Sequence, residues 1–141
     1  MTHQLNFIYN DSDWVCPSEY PDLRHAKEIA IDLETKDPNL KQKGSGWATF
    51  DGGIVGFAVA ALGQQWYFPI QHDAGGNMDL GITTAWMQSI LRTPATKIFH
   101  NASYDVGWLL VNGFEINGPI VDTMIAAAVI NENRYSFSLN A

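Results

Sequence analysis

Between Glu28 and Glu34 apolar and polar positions alternate with the period of a strand. Ile29, Ile31 and Leu33 share one face; Ala30, Asp32 and Glu34 share the other. Lys36–Gly53 breaks the pattern with Pro38 and four glycines and reads as a long loop. Ile54–Leu62 is apolar, Gln65–Ile70 is aromatic and β-favouring, and the gap centred on Gly63 predicts a hairpin turn. Three antiparallel strands therefore open the fold. Gln71–Asn77 is a second loop. The spacing of Leu80, Trp86, Met87, Ile90 and Leu91 then predicts a helix over Asp79–Leu91, with Pro94 past its end. Lys97–His100 reads as a short strand. Tyr104–Val111 reads as a helix, capped by Asn101 or Ser103 and stopped by Gly113. Ile120–Val121 is one more short strand, and Asp122 or Thr123 caps a helix through Ile130. Met1–Ala26 is irregular, with an edge strand over Asn6–Tyr9 and Trp14, Pro17 and Pro21 as anchors; the tail closes on S-L-N-A, the opening of a further helix. This order predicts one α/β domain over 1–141, a mixed sheet that starts with three antiparallel strands and has helices packed on it.

Composition narrows the class. Hydrophobic residues make up 46% of the 141, which suits a packed core and excludes a disordered chain. No apolar run approaches the roughly 20 residues that cross a bilayer, so no membrane partner is expected. The N-terminus has no basic region followed by an apolar one, so no signal peptide is expected. Cys16 is the only cysteine, which excludes a disulfide framework and a cysteine zinc site and fits a reducing cytoplasm. His3, His25, His72 and His100 lack zinc-ligand spacing, and His72 and His100 read as structural or exposed. The net charge of −7 argues against a broad phosphate-binding surface, unless bound cations reverse the sign locally or a neighbouring domain supplies basic surface.

The carboxylates are where such cations would sit. Asp32 and Glu34 lie side by side on one strand face, where repulsion and lost hydration call for a counter-charge. Asp105 falls in the first turn of a predicted helix, directly after a strand, where the helix dipole favours its ionised form. If that strand neighbours the Asp32 strand, three carboxylates converge. An all-oxygen set without basic partners suits Mg²⁺ or Mn²⁺. Two such ions can drive hydrolysis at phosphorus without a protein base.

These residues carry a resemblance. I-D-L-E-T at 31–35 and N-A-S-Y-D at 101–105 are similar to the first two motifs of the DEDD 3′–5′ exonucleases, and the gap between them is similar too. The stretches D-L-E-T-K-D-P-N-L-K-Q-K-G-S-G-W at 32–47 and D-T-M-I-A-A-A-V-I-N-E-N at 122–133 resemble the proofreading domains of family A DNA polymerases, particularly those of bacteriophages. The resemblance covers about Trp14–Ala141. It implies a ribonuclease H-like fold, two divalent ions and a single-stranded DNA 3′ end as substrate, with a polymerase domain in the parent protein. Asp32 and Glu34 would bind the first ion, Asp32 would bridge to the second, and Asp105 would hold the second. Asn101 and Tyr104 would contact the terminal nucleotides, and Thr35 would line their pocket. Asn101 equally suits a helix cap, and Tyr104 equally suits packing on the sheet. Trp47, Trp66, Tyr67, Phe68, Trp86 and Trp108 read as core, with Trp47 close enough to the site to touch DNA.

One departure stands out. The family carries a fourth carboxylate in a later Y-x-x-x-D or H-x-x-x-D motif, and no Asp follows Asp122 here. The expectation is a C-terminally incomplete domain that binds metal weakly and has little or no nuclease activity. Two alternatives stay open: an RNA-directed 3′–5′ exonuclease, and a non-catalytic scaffold of a polymerase.

Overall fold

The computed structural model describes residues 14–134 and 136–139. The edge strand expected over Asn6–Tyr9 lies outside the described residues. The three opening strands are β1 (Glu28–Lys36), β2 (Gly53–Ala61) and β3 (Gln64–Pro69). Between β1 and β2 the loop holds α1 (Leu40–Lys43) and α2 (Gly46–Thr49). These single helical turns replace part of the loop expected there, and both are too short to show a helical period. Leu62 and Gly63 join β2 to β3, both with positive φ, which is the left-handed pair that a tight hairpin turn needs. The remaining elements are α3 (Leu80–Leu91), β4 (Thr96–Phe99), α4 (Ala102–Val111), β5 (Ile120–Asp122) and α5 (Thr123–Ile130).

The five strands form one sheet in the order β3-β2-β1-β4-β5. β1 runs antiparallel to β2 and parallel to β4; β4 and β5 are also parallel. The mixed sheet is thus as the strand and helix order predicts. Its inner face carries Ile29, Ile31, Leu33, Phe57, Val59, Phe68 and Phe99, packed with Met87 and Leu91 of α3 and Trp108 and Leu109 of α4. Among the described residues the other face is open. Small residues line it: Ala30 on β1 is paired with Ala60, and Asp32 with Ala58. They leave a groove of about 600 Å³ with Trp14 and Tyr67 among its walls and Asp32 and His100 beside it.

Local chemistry sets the helix ends. The Asp79 carboxylate accepts from Ile82 N–H at 2.8 Å and starts α3 one residue later than the apolar spacing alone suggests. Asn101 does not cap α4 through its side chain. It takes φ 64°, and its backbone N–H and that of Ala102 donate to the two carboxylate oxygens of Asp122, at 3.1 and 2.9 Å. Asp122 also caps its own helix, accepting from Met124 N–H at 2.9 Å. One carboxylate therefore ties the starts of α4 and α5 together. Burial opposes its ionised form, but these amides outweigh it and hold the carboxyl below the usual range. No residue of α5 is buried, and Ile125, Val129 and Ile130 are 61%, 82% and 85% exposed. Among the described residues no helix is long and apolar enough to cross a membrane.

Candidate active site

Asp32 and Glu34 stand on the open face of β1, one register step apart. Ala58 and Gly56 face them on β2. The pairing shifts between Glu34 and Thr35. A bulge there twists the strand and re-aims the side chains beyond it. Thr35 Oγ1 lies 3.0 Å from the Tyr104 hydroxyl on α4.

Asp105 comes to the same end of β1 from the first turn of α4. Its side chain is buried, with 3% exposure, and Oδ2 accepts from Leu33 N–H at 3.4 Å. Its carboxyl is pushed up to about 7, first by burial and then by the negative charge of Asp32, with Glu34 adding to it; the Leu33 amide works the other way. Burial also raises Asp32, while the charge of His100 opposes this. Asp105 thus feels the charge of both Asp32 and Glu34. The ion pairs Arg24–Asp22, Lys36–Asp73 and Arg92–Glu115 all lie elsewhere. Among the described residues, no three acidic, histidine or cysteine side chains are already drawn together as a ready cage for one metal ion. The convergence is one of charge and position. The donor chemistry, all carboxylate oxygen with no cation paired to it in those bridges, fits a hard divalent ion.

A second network flanks the carboxylates. The Tyr104 hydroxyl donates to Asp37 Oδ2 at 2.8 Å, and the same oxygen accepts from Gly46 N–H at 2.9 Å. The Gly-rich loop is thereby fastened to α4. Trp47 from this loop lies against Gly107, where a Cβ would come within 2.4 Å of its ring. Tyr104 and Thr35 are therefore brought together, Trp47 lies against the same helix at Gly107, and Asn101 sits half-buried at that helix's start.

Three neighbours of the site were not legible as such. His100 bonds Thr123 Oγ1 at 2.9 Å and the Phe137 carbonyl at 2.6 Å, and its charge reaches Asp32. His72 is hydrogen-bonded to the Tyr67 hydroxyl. Tyr67 is not core, as the aromatic grouping suggested: it stands on the open face, while Phe68 beside it is fully buried. Strand parity over Gln65–Ile70 held that signal, because Tyr67 points opposite to Trp66 and Phe68.

Comparison with known proteins leads in the same direction. Residues 20–141 match the family model for a 3′–5′ exonuclease. A DNA-directed DNA polymerase of Pseudomonas phage M6 is 33% identical over 142 aligned residues, covering 96% of this chain and 21% of the polymerase. Among solved structures, Brucella melitensis NrnC with bound Mg²⁺ superposes with a TM-score of 0.57 at 20% identity, covering 84% of this chain and 52% of that one. Escherichia coli RNase D, an exoribonuclease involved in structured RNA processing, gives 0.52 at 23% identity, over 77% of this chain and 25% of that one. These likenesses fix the fold as that of the ribonuclease H-like exonucleases. The chain spans about a fifth of the length of the phage polymerase and about half of NrnC.

Proposed function

The chain belongs to the 3′–5′ exonuclease family of family A DNA polymerases, and on that premise we propose that Asp32, Glu34 and Asp105 are the metal-binding carboxylates of a nuclease site acting on the 3′ end of single-stranded DNA. The observation that carries this reading is Asp105: a buried carboxyl pushed up to about 7 by burial and by two like-charged neighbours. Such an arrangement is unfavourable without a cation and favourable with one. Two Mg²⁺ or Mn²⁺ ions, when bound, supply the Lewis-acid activation and charge stabilisation of an in-line phosphodiester hydrolysis. The residues around them orient the strand. Asp37 fixes the Tyr104 hydroxyl, which leaves the Tyr104 ring and Thr35 as one rigid wall for the terminal nucleotide. Asn101, at the start of α4, offers its side-chain amide to the same nucleotides. The parent protein in this reading is a phage polymerase, and the site edits its primer strand.

The same residues bear on the activity of the 141-residue chain. The family site uses four carboxylates. Asp122, the last Asp of this sequence, is engaged by the amides of Asn101, Ala102 and Met124. Three ligands at the site imply weak metal binding and slow hydrolysis by this chain alone.

Thermal melting with and without Mn²⁺ tests the site. With a dissociation constant near 1 mM, 10 mM Mn²⁺ adds about 1.4 kcal/mol, a rise of roughly 3–5 °C for a domain of this size. Asp32→Ala is expected to erase the rise. A wild-type chain that gains nothing from Mn²⁺, or an Asp32→Ala variant that gains as much, counts against the proposed site. Hydrolysis of a single-stranded DNA oligonucleotide at the rate of a complete exonuclease domain would remove the claim of weak activity, and a preference for RNA over DNA would redirect the substrate.

A further inference from the structure

Tyr67 shares the open face of the sheet with Asp32 and Glu34. Ala58 on β2 pairs with Asp32 on one side and with Tyr67 on the other. The ring leans from there over Gly56, whose partner across β1 is Glu34. A Cβ on Gly56 would lie 2.1 Å from the phenol oxygen. The absence of a side chain at Gly56 is therefore what lets the phenol reach toward β1. From the far side the oxygen is held by a short hydrogen bond to His72 Nε2. His72 is itself pinned: its N–H donates to Asn77 Oδ1 at 2.8 Å, and Asn77 Nδ2 donates back to its carbonyl at 2.9 Å. The rings of Tyr67 and His72 meet edge to face, with centroids 5.8 Å apart. Burial, with the charge of Glu34 adding to it, pushes the phenol up to about 12, so it stays a neutral donor.

A phenol oxygen accepts as well as donates, and a neutral imidazole carries its proton on one nitrogen only. The negative field of the three carboxylates favours an O–H dipole aimed at them. That leaves the phenol lone pairs for a proton on His72 Nε2. We propose that Tyr67 is a positioning residue for Glu34: the imidazole donates to the phenol, and the phenol O–H, passing over Gly56, holds the Glu34 carboxylate turned toward Asp32 and Asp105. This inference rests on Glu34 being a metal ligand. Partners that orient metal ligands typically change affinity by about 10-fold or more when removed.

The test is Mn²⁺ affinity, read by electron paramagnetic resonance on the 141-residue chain, alongside melting temperature in metal-free buffer. Tyr67→Phe and His72→Ala are expected to weaken Mn²⁺ binding by about 10-fold with little change in metal-free melting. His72→Gln, which keeps a side-chain N–H donor, is expected to stay within about 2-fold of wild type, since one donor group replaces another. A purely structural role would lower the metal-free melting temperature of all three and would not be rescued by glutamine. Wild-type affinity in Tyr67→Phe, or equal losses in His72→Ala and His72→Gln, would overturn the positioning role. Asp32→Ala separates the two levels of the argument. If it abolishes binding while Tyr67→Phe leaves it intact, only the role of Tyr67 fails. If wild type binds no Mn²⁺, or Asp32→Ala binds it normally, the metal site itself fails and the role of Tyr67 with it.

Discussion

Asp105→Asn is expected to raise the melting temperature of the metal-free protein at pH 8 by roughly 5–10 °C, and to give no gain below pH 4. The carboxyl titrates near its ordinary value of 3.8 in the unfolded chain and at about 7 in the folded one. Between those values the native state holds a proton that the unfolded state has lost, so stability falls as pH rises through this window and levels off above it. Three pKa units correspond to roughly 4 kcal/mol, an upper figure for so crowded a group. Asparagine keeps the acceptor for Leu33 N–H and removes the charge, so it recovers much of that amount. It also removes a proposed metal ligand. The variant should therefore be the more stable protein without Mn²⁺ and the less responsive one with it. Melting curves across pH 3–9, with and without Mn²⁺, check both halves. A variant no more stable than wild type at pH 8 would show that the native site already tolerates three charges.

The second large effect lies away from the site. Lys97→Ala is expected to cost roughly 3–5 kcal/mol, read as a lower urea midpoint at unchanged slope. Lys97 is fully buried on β4, with 0% exposure. Its ammonium has no carboxylate partner in the contacts that hold it. It donates to the carbonyls of Thr93, Ala95 (2.9 Å) and Asn117 (2.8 Å), and to Thr93 Oγ1 at 3.3 Å. Burial pulls its pKa down, and these carbonyl dipoles stand in for water. Truncation leaves a cavity and strips buried carbonyls of their donor at once. Lys97→Met fills most of the volume but supplies no donor, so its loss should fall between wild type and alanine. A loss under about 1 kcal/mol for alanine would mean that the carbonyl cage adds nothing.

Lys97 also marks where sequence reasoning stops. A lysine at the head of a short strand reads as solvent-facing, and only the chain passing over it at Thr93 and Asn117 makes it interior. Asp32, Glu34 and Asp105 were legible because strand parity and helix position are local rules, and each placed its residue correctly. The apolar stripe ending before Pro94 likewise located α3. Asp122 was half legible. Its cap on α5 follows from sequence, but its grip on Asn101 and Ala102, 21 and 20 residues earlier, needs the tertiary fold. For the same reason Asn101, one of the two expected cap residues, stands at the N-cap of α4 without a capping bond from its side chain. The fastening of Tyr104 to Asp37, and of Tyr67 to His72, depends on which surfaces meet across the sheet, which no local pattern encodes.

The strand order β3-β2-β1-β4-β5 carries a kinetic consequence. β1 meets β2 after the single loop that holds α1 and α2, and β2 meets β3 through a two-residue turn, whereas Ala30 meets Ile98 only after the chain has passed through that loop, β2, β3 and α3. Closing the longer loop costs more entropy, which is offset only later by the contacts it allows. The three-strand meander, with Asp32 and Glu34 already on it, should gain hydrogen-exchange protection first during refolding. β4 and α4 should dock afterwards, bringing Asp105 into its neighbours' field in that step. Pulse-labelled exchange that finds β4 protected before β2 would reverse this order. The repulsion within the site is then a barrier met late in folding, one that protonation, or a divalent ion present in the refolding buffer, should lower.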